Sequence, residues 1–160
     1  LRSTRDLPIG GGTGLAPDGT TALATGLATR FGLSAARAAH LVDLYGSQSA
    51  QVAAFCAGQD DRPLPGVLLT EAEVTRFVQS EQALHLADVL QRRSPLAIRG
   101  DLSVDLVIAT ARVMARELGW SPETRQAEID RFLGDLARYH GVRLTPTEGV
   151  QPLRSLRRSG

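Results

Sequence analysis

The sequence predicts an all-α fold: a single domain built as a bundle of about six helices. Three observations carry this. Apolar residues recur at helical spacing through most of the chain, and no stretch alternates convincingly at period two. Serine or threonine stands at the start of the apolar stretches and glycine at their ends, which are the residues that cap helices. The 160 residues, 42% hydrophobic and 22% charged, suffice for one core. With only 4% aromatic residues, that core must be mostly Leu, Val, Ile and Ala.

Residues 1–19 hold Pro8, Gly10, Gly11, Gly12, Gly14, Pro17 and Gly19, so they read as a linker. The run GGGTG fits no phosphate loop. Pro17 stands where a dinucleotide fingerprint needs its third glycine, and the Gly-Lys-Ser/Thr of a Walker motif is missing. A first helix runs from about Thr21 to Phe31, with Leu23, Leu27 and Phe31 inward and Gly32 after it. Ser34 caps a second helix, Ala35 to Tyr45, whose inner face is Ala38, Leu41, Val42 and Tyr45. Gly46 makes a tight corner into a third helix, Gln48 to Ala57, burying Val52, Phe55 and Cys56. GQDDRPLPG, residues 58–66, is a loop whose Asp60 and Asp61 read as solvated.

The central stretch is VLLTEAEVTRFVQSEQALHLADVLQRR, Val67 to Arg93, read as one long helix. Thr70 and Glu73 form a capping box at its start. Its apolar face, Val74, Phe77, Val78 and Leu84, is interrupted by Glu81 and Asp88. Carboxylates in a core-facing stripe are costly unless cations meet them, so Arg92 and Arg93 are expected to neutralise a buried pair. Ser94-Pro95 breaks the helix, and Leu96 to Ile98 reads as a short extended crossing. Helices follow from about Ser103 to Leu118 and from Ser121-Pro122-Glu123 to Gly141, the latter facing inward through Ile129, Phe132, Leu133, Leu136 and His140. The basic end from Val142, with its RSLRRSG, reads as a frayed tail.

Composition narrows the chemistry. A net charge of +1 gives no argument for nucleic acid. All 18 basic side chains are arginine, which excludes lysine Schiff-base chemistry. Cys56, alone, reads as a small core residue. Glu81, His85 and Asp88 fall at i, i+4 and i+7, a spacing that could present three metal ligands. The nearby arginines favour ion pairing instead, so no metal site is assigned. His40 and His140 sit near helix ends, nothing resembles a nucleophile elbow, and Trp120 reads as packing a helical corner.

Three segments together carry a family resemblance: LVDLYGSQSAQV, LTEAEVTRFVQSEQALHLADVLQRRSPL and RELGWSPETRQAEIDRF. Tyr-Gly-Ser, Glu-Ala-Glu-Val, the central Glu, Asp88-x-Leu-x-Arg92-Arg93 and Leu-Gly-Trp stand in order from Leu41 to Phe132, after a leading LPIGGG. The chain resembles the C-terminal helical domain of FAD-dependent glycerol-3-phosphate dehydrogenases and the related α-glycerophosphate oxidases. The resemblance implies a fragment, consistent with a start at Leu1, whose 1–19 leaves an absent flavin domain, with a helical domain over 20–141 and a basic tail over 142–160. It implies FAD and catalysis for the longer enzyme, oxidising sn-glycerol 3-phosphate to dihydroxyacetone phosphate, and no catalytic or cofactor residue in this piece. Glu81, Asp88, Arg92 and Arg93 match a structural charged motif. The partners implied are the enzyme's own flavin and substrate domain, a homodimer, and the inner face of the cytoplasmic membrane. A free-standing helical interaction module is the alternative.

Overall fold

The computed structural model describes Gly12, Gly14, Leu15 and residues 19–144. Most of the expected linker, and the tail beyond Leu144, lie outside the described residues. The described residues are helical as anticipated: they form seven α-helices and no strand, with one isolated antiparallel bridge between Pro63 and Thr70. The chain divides into two compact units, 1–62 and 63–160.

The first unit holds α1 (Gly19–Phe31), α2 (Ala35–Tyr45) and α3 (Ser49–Ala57). Ser34 caps α2, its hydroxyl accepting the Arg37 N–H at 3.2 Å. Leu27, Ala38, Leu41, Val42, Val52, Ala53 and Cys56 are buried. Gly46 turns the chain at φ 55° and ψ −127°, a backbone that a side chain at this position would resist. The chain then makes a short 3-10 turn, Gly46–Gln48, so α3 begins one residue later than the sequence predicts.

The second unit opens with a loop closed by the Leu64 N–H on the Leu69 carbonyl at 2.8 Å. The capping box then starts α4 (Glu71–Glu81): the Thr70 hydroxyl accepts the Glu73 N–H, and the Glu73 carboxylate accepts the Thr70 N–H at 3.1 Å. Val74 and Phe77 reach the core.

The single helix expected from Thr70 to Arg93 is not formed. Gln82 adopts the left-handed conformation, φ 54° and ψ 42°, and ends α4 with its N–H on the Phe77 carbonyl. The cause is a change of phase in the apolar residues. Continuing from Val74 and Phe77, the inward positions would fall at Glu81, Leu84 or His85, and Asp88. The apolar residues actually buried are Ala83, Leu86, Val89 and Leu90, and Leu84 is 53% exposed. An unbroken helix would turn Glu81 inward and strand four apolar side chains, so the chain breaks and restarts; Asp88 is buried at the restart, where donors meet its carboxylate. The restart at 86–87 passes into a π-helical segment, Asp88–Arg93.

Leu96 to Ile98 is also helical rather than extended. Ser94 is extended, as a residue before proline prefers, and α5 (Leu96–Arg99) makes one turn before Gly100 stops it. The last two helices match the sequence expectation: α6 (Val104–Leu118), capped by Ser103, and α7 (Pro122–Tyr139), capped by Ser121 with proline at its first position. Leu106, Val107, Ala111 and Met114 pack inward from α6, and Ile129, Phe132 and Leu136 from α7. His140, expected inward, is exposed just past the end of α7.

The left-handed turn gives a test. Gln82 is exposed, so Gln82→Gly should raise stability by about 0.5–1 kcal/mol through relief of the positive φ. Gln82→Pro, whose φ cannot be positive and which loses the N–H bond, should cost roughly 3 kcal/mol. Urea denaturation of both variants measures this, and equal stability would contradict a break held at this residue.

Candidate functional site

One of the two charged clusters of the second unit gathers around the break between α4 and the π-helical segment. Restarting a helix leaves its first N–H groups without partners, and carboxylates fill that role here. The Asp88 Oδ2 accepts the N–H groups of Leu84 and His85, each at 3.0 Å. The Glu128 Oε1, reaching across from α7, accepts the Leu86 N–H at 2.9 Å.

Cations complete the arrangement. Arg92 Nη1 meets Asp88 Oδ1 at 2.8 Å while remaining 72% exposed. Arg93 Nε lies 3.3 Å from Glu81 Oε2, and its other nitrogens donate to the Glu81 carbonyl and, at 3.3 Å, to the Asp88 carbonyl. One guanidinium thus touches the last residue of α4 and the first of the π-helical segment. Arg76 pairs with the other Glu81 oxygen. Arg131 holds Glu128 through both oxygens at 2.7 Å, and His85 Nδ1 approaches the same carboxylate at 3.4 Å.

The four residues singled out from sequence are therefore near one another, but on two elements and in two pairs, Arg92 with Asp88 and Arg93 with Glu81. Glu81 is not deeply buried, its side chain being 34% exposed. Glu81, His85 and Asp88 do not converge as metal ligands: each carboxylate is occupied by arginine or backbone donors, and His85 turns to Glu128. Among the described residues no three histidine, cysteine or acidic side chains are placed to hold a metal ion.

Sequence reasoning missed Glu128 and Arg131. The signal was available: Glu128 lies four residues before Phe132 on the inward stripe of α7, with Arg131 three residues on. It also missed a second network between α4 and α6, where Glu117 accepts Thr75 at 3.1 Å, Gln79 at 3.0 Å and Arg116 at 3.1 Å, and Arg116 reaches Glu71 at 3.3 Å. In the first unit, Asp61 is not merely solvated. It pairs with the buried Arg37 at 3.2 Å, whose guanidinium also lies 3.7 Å from Cys56 Sγ.

Burial alone would raise the carboxyl pKa of Asp88, Glu128 and Glu117. The donors outweigh it, so all three are held below the usual carboxylate range: by the backbone N–H groups and Arg92 and Arg93 at Asp88, by Arg131 and the Leu86 N–H at Glu128, and by Gln79, Arg116 and Thr75 at Glu117. These groups are ionised at neutral pH, with their acceptor positions engaged.

Residues 2–125 match the family model described as the C-terminal domain of alpha-glycerophosphate oxidase. The chain belongs to this family. Within this domain family, the chain is 38% identical over 106 residues to glycerol-3-phosphate dehydrogenase 2 of Mycobacterium tuberculosis, a match covering 62% of the chain and 17% of that protein. It is 35% identical over 107 residues to glycerol-3-phosphate dehydrogenase of Mycobacterium leprae, covering 63% of the chain and 18% of that protein. To the probable mitochondrial glycerol-3-phosphate dehydrogenase of Caenorhabditis elegans it is 32% identical over 109 residues, 63% of the chain and 15% of that protein. The matched region thus spans less than a fifth of the length of these curated relatives. Among the described residues no helix is long and apolar enough to cross a membrane.

The depressed carboxyl pKa values set a pH dependence. A folded pKa below the unfolded one stabilises the fold above the unfolded pKa of about 4, and that stability is lost as pH falls through the folded pKa. Tm should therefore be nearly level from about pH 7 to 5 and fall below about pH 4. Asp88→Asn should flatten that fall; an unchanged Tm-pH profile in the variant would contradict the assignment. Glu128→Ala, which strips the Leu86 N–H and Arg131 of their acceptor, should cost about 2 kcal/mol in chemical denaturation. Glu81→Ala should cost only about 1 kcal/mol, since that carboxylate is a third exposed.

Proposed function

We propose that this chain is the C-terminal helical part of an FAD-dependent, quinone-linked glycerol-3-phosphate dehydrogenase. That enzyme oxidises sn-glycerol 3-phosphate to dihydroxyacetone phosphate. The helical part itself is non-catalytic: it packs against the enzyme's own flavin and substrate portion and steadies it. The observation carrying this reading is the pairing of a family match over residues 2–125 with relatives in which the matched region is under a fifth of the protein.

The chemistry around the α4 break supports a scaffold. A general base needs a free lone pair and a pKa near the working pH. Asp88 and Glu128 have neither, being depressed in pKa and occupied by N–H and guanidinium donors. The described residues do not fit FAD: they contain no strand leading through a glycine-rich turn into a helix, the arrangement that receives a dinucleotide. FAD and substrate would be held by the larger part of the enzyme. Glu81, Asp88, Arg92 and Arg93 serve as a structural cluster, the working location is cytoplasmic and peripheral on the inner membrane face, and the enzyme pairs as a homodimer.

Purification of the chain alone and of the protein encoded by its whole reading frame tests this. The longer protein should carry flavin absorbance and reduce a dye when given sn-glycerol 3-phosphate, and the chain alone should do neither. Dye reduction by the chain alone would overturn the scaffold role. A reading frame with no flavin portion would favour a free-standing helical interaction module instead.

A further inference from the structure

A helix face that meets water is normally charged, and α7 follows the rule, exposing Glu123, Asp130, Arg131, Asp135 and Arg138. The helix α1 does not. Of its 13 residues, GTTALATGLATRF, only Arg30 is charged and only Leu27 is buried. Thr21, Ala22, Thr25, Gly26 and Thr29 are exposed instead. Depletion of charge is what distinguishes the core of a protein interface from the rest of a protein surface.

Three details suit this face to being covered. The Thr25 and Thr29 hydroxyls donate to the Thr21 and Thr25 carbonyls of their own helix, at 3.0 and 3.1 Å. Removing water from them therefore leaves neither hydroxyl without a partner. Gly26 stands in the middle of the helix, where glycine is less stable than alanine. A Cβ at that position would meet nothing within 4 Å, so no neighbour within this chain requires its absence. A second backbone lying close over the helix would require it. Beside this face a groove of about 400 Å³ runs between α1 and α2, walled by Ala24, Ala28, Ala35 and Ala39, with the exposed Asp43 as its one charged residue. Side chains this small let a packed helix approach toward the near end of the usual range, about 8 Å between axes.

The occupant follows from the place of this domain in its family. The matching model is a C-terminal domain, and the matched region is under a fifth of the length of the relatives. The bulk of such a protein precedes α1, which is the first helix of the domain. We propose that the outer face of α1 and the α1–α2 groove form the seat for that preceding flavin and substrate portion, which lays an apolar helix across Gly26 and turns a basic side chain to Asp43. The docking rests on the reading above that such a portion precedes this chain.

Maleimide labelling of the protein encoded by the whole reading frame, with mass spectrometry locating each label, tests it. Thr25→Cys and Ala39→Cys put thiols at exposed positions on the face and the groove, and Asp130→Cys on α7 gives the reference. The first two should react at least about tenfold more slowly than the reference, since labelling waits on undocking. Gly26→Leu, whose side chain enters space that is open within this chain, should return both to the reference rate. Rates equal to the reference in a protein carrying flavin absorbance, or slow rates that Gly26→Leu leaves unchanged, would overturn the docking while the dehydrogenase reading stands. A reading frame with no preceding portion would remove both. Slow labelling that turns fast on dilution, as light scattering shows a dimer dissociating, would give the face to a second copy and overturn the docking.

Discussion

The break at Gln82 is the constraint on which the second unit depends. A helix kept in register through Asp88 would have turned Glu81 into the core and left Ala83, Leu86, Val89 and Leu90 outside; Asp88 is buried with the break as well, and there meets its donors. The four apolar residues are fully buried instead, and a buried side chain of Val or Leu size is worth about 1.5–3 kcal/mol. One left-handed residue costs about 1–2 kcal/mol. The comparison favours the break, and the arrangement of charge follows from it. Stopping α4 exposes the N–H groups of residues 84 to 86, which need acceptors. Asp88 and Glu128 provide them, and the arginines then neutralise the acceptors.

This order of causes explains why Arg93 and Arg92 are not equivalent. Arg92 answers one carboxylate from the solvent side and could be replaced at little cost, as exposed pairs are worth under about 1 kcal/mol. Arg93 is three-quarters buried and spans the interruption, touching the carboxylate and carbonyl of Glu81 and the carbonyl of Asp88. Its planar fork suits several acceptors at once, which a point-charge ammonium would not match. Glu128 has the same bridging quality between elements: by holding the Leu86 N–H it ties α7 to the restarted chain. The α4–α6 network is the counterpart on the other side of α4, where Glu117 gathers Thr75, Gln79 and Arg116.

How much of this could be read from sequence depends on the range of the interaction that decides each feature. Ser34, Ser121 and the Thr70–Glu73 box are local, and each caps the helix it was expected to cap, while Ser103, read as the first residue of its helix, is the cap one position before it. The stripe of α6 keeps one phase throughout and was plain. The stretch from Val74 to Leu90 contains two stripes in different phases, and a helical reading that begins at Val74 absorbs the second as noise. The exposed Leu84 was counted as inward for that reason. Gln82 carries no signature of a left-handed cap, a place where glycine is the usual marker. Leu96 to Ile98 was misread as extended because Pro95 was taken only as a breaker, when proline also starts a helical turn well. Glu128 and Asp61 were out of reach in another way. Their partners, Leu86 and Arg37, stand 42 and 24 residues away and come near only once the helices pack.

The charged residues around the break raise the question of what kind of site they form. Acidic clusters near histidine and arginine are the material of proton transfer, and a pKa displaced by its surroundings is one mark of such sites. The direction of displacement separates the cases. A carboxyl that is to move protons near neutral pH must be raised toward 7 by burial or by a like charge. Asp88, Glu128 and Glu117 are displaced the other way, with N–H and guanidinium donors prevailing over burial. Such groups hold their charge, and hence their hydrogen bonds, across the neutral range. They also resist giving up those bonds to a ligand, because losing an acceptor would leave a backbone N–H such as that of Leu86 unsatisfied in the interior. A cluster poised in that manner fixes the relative positions of α4, the restarted segment and α7, and that rigidity is what a domain needs if its contribution to a larger enzyme is a surface held in a constant shape.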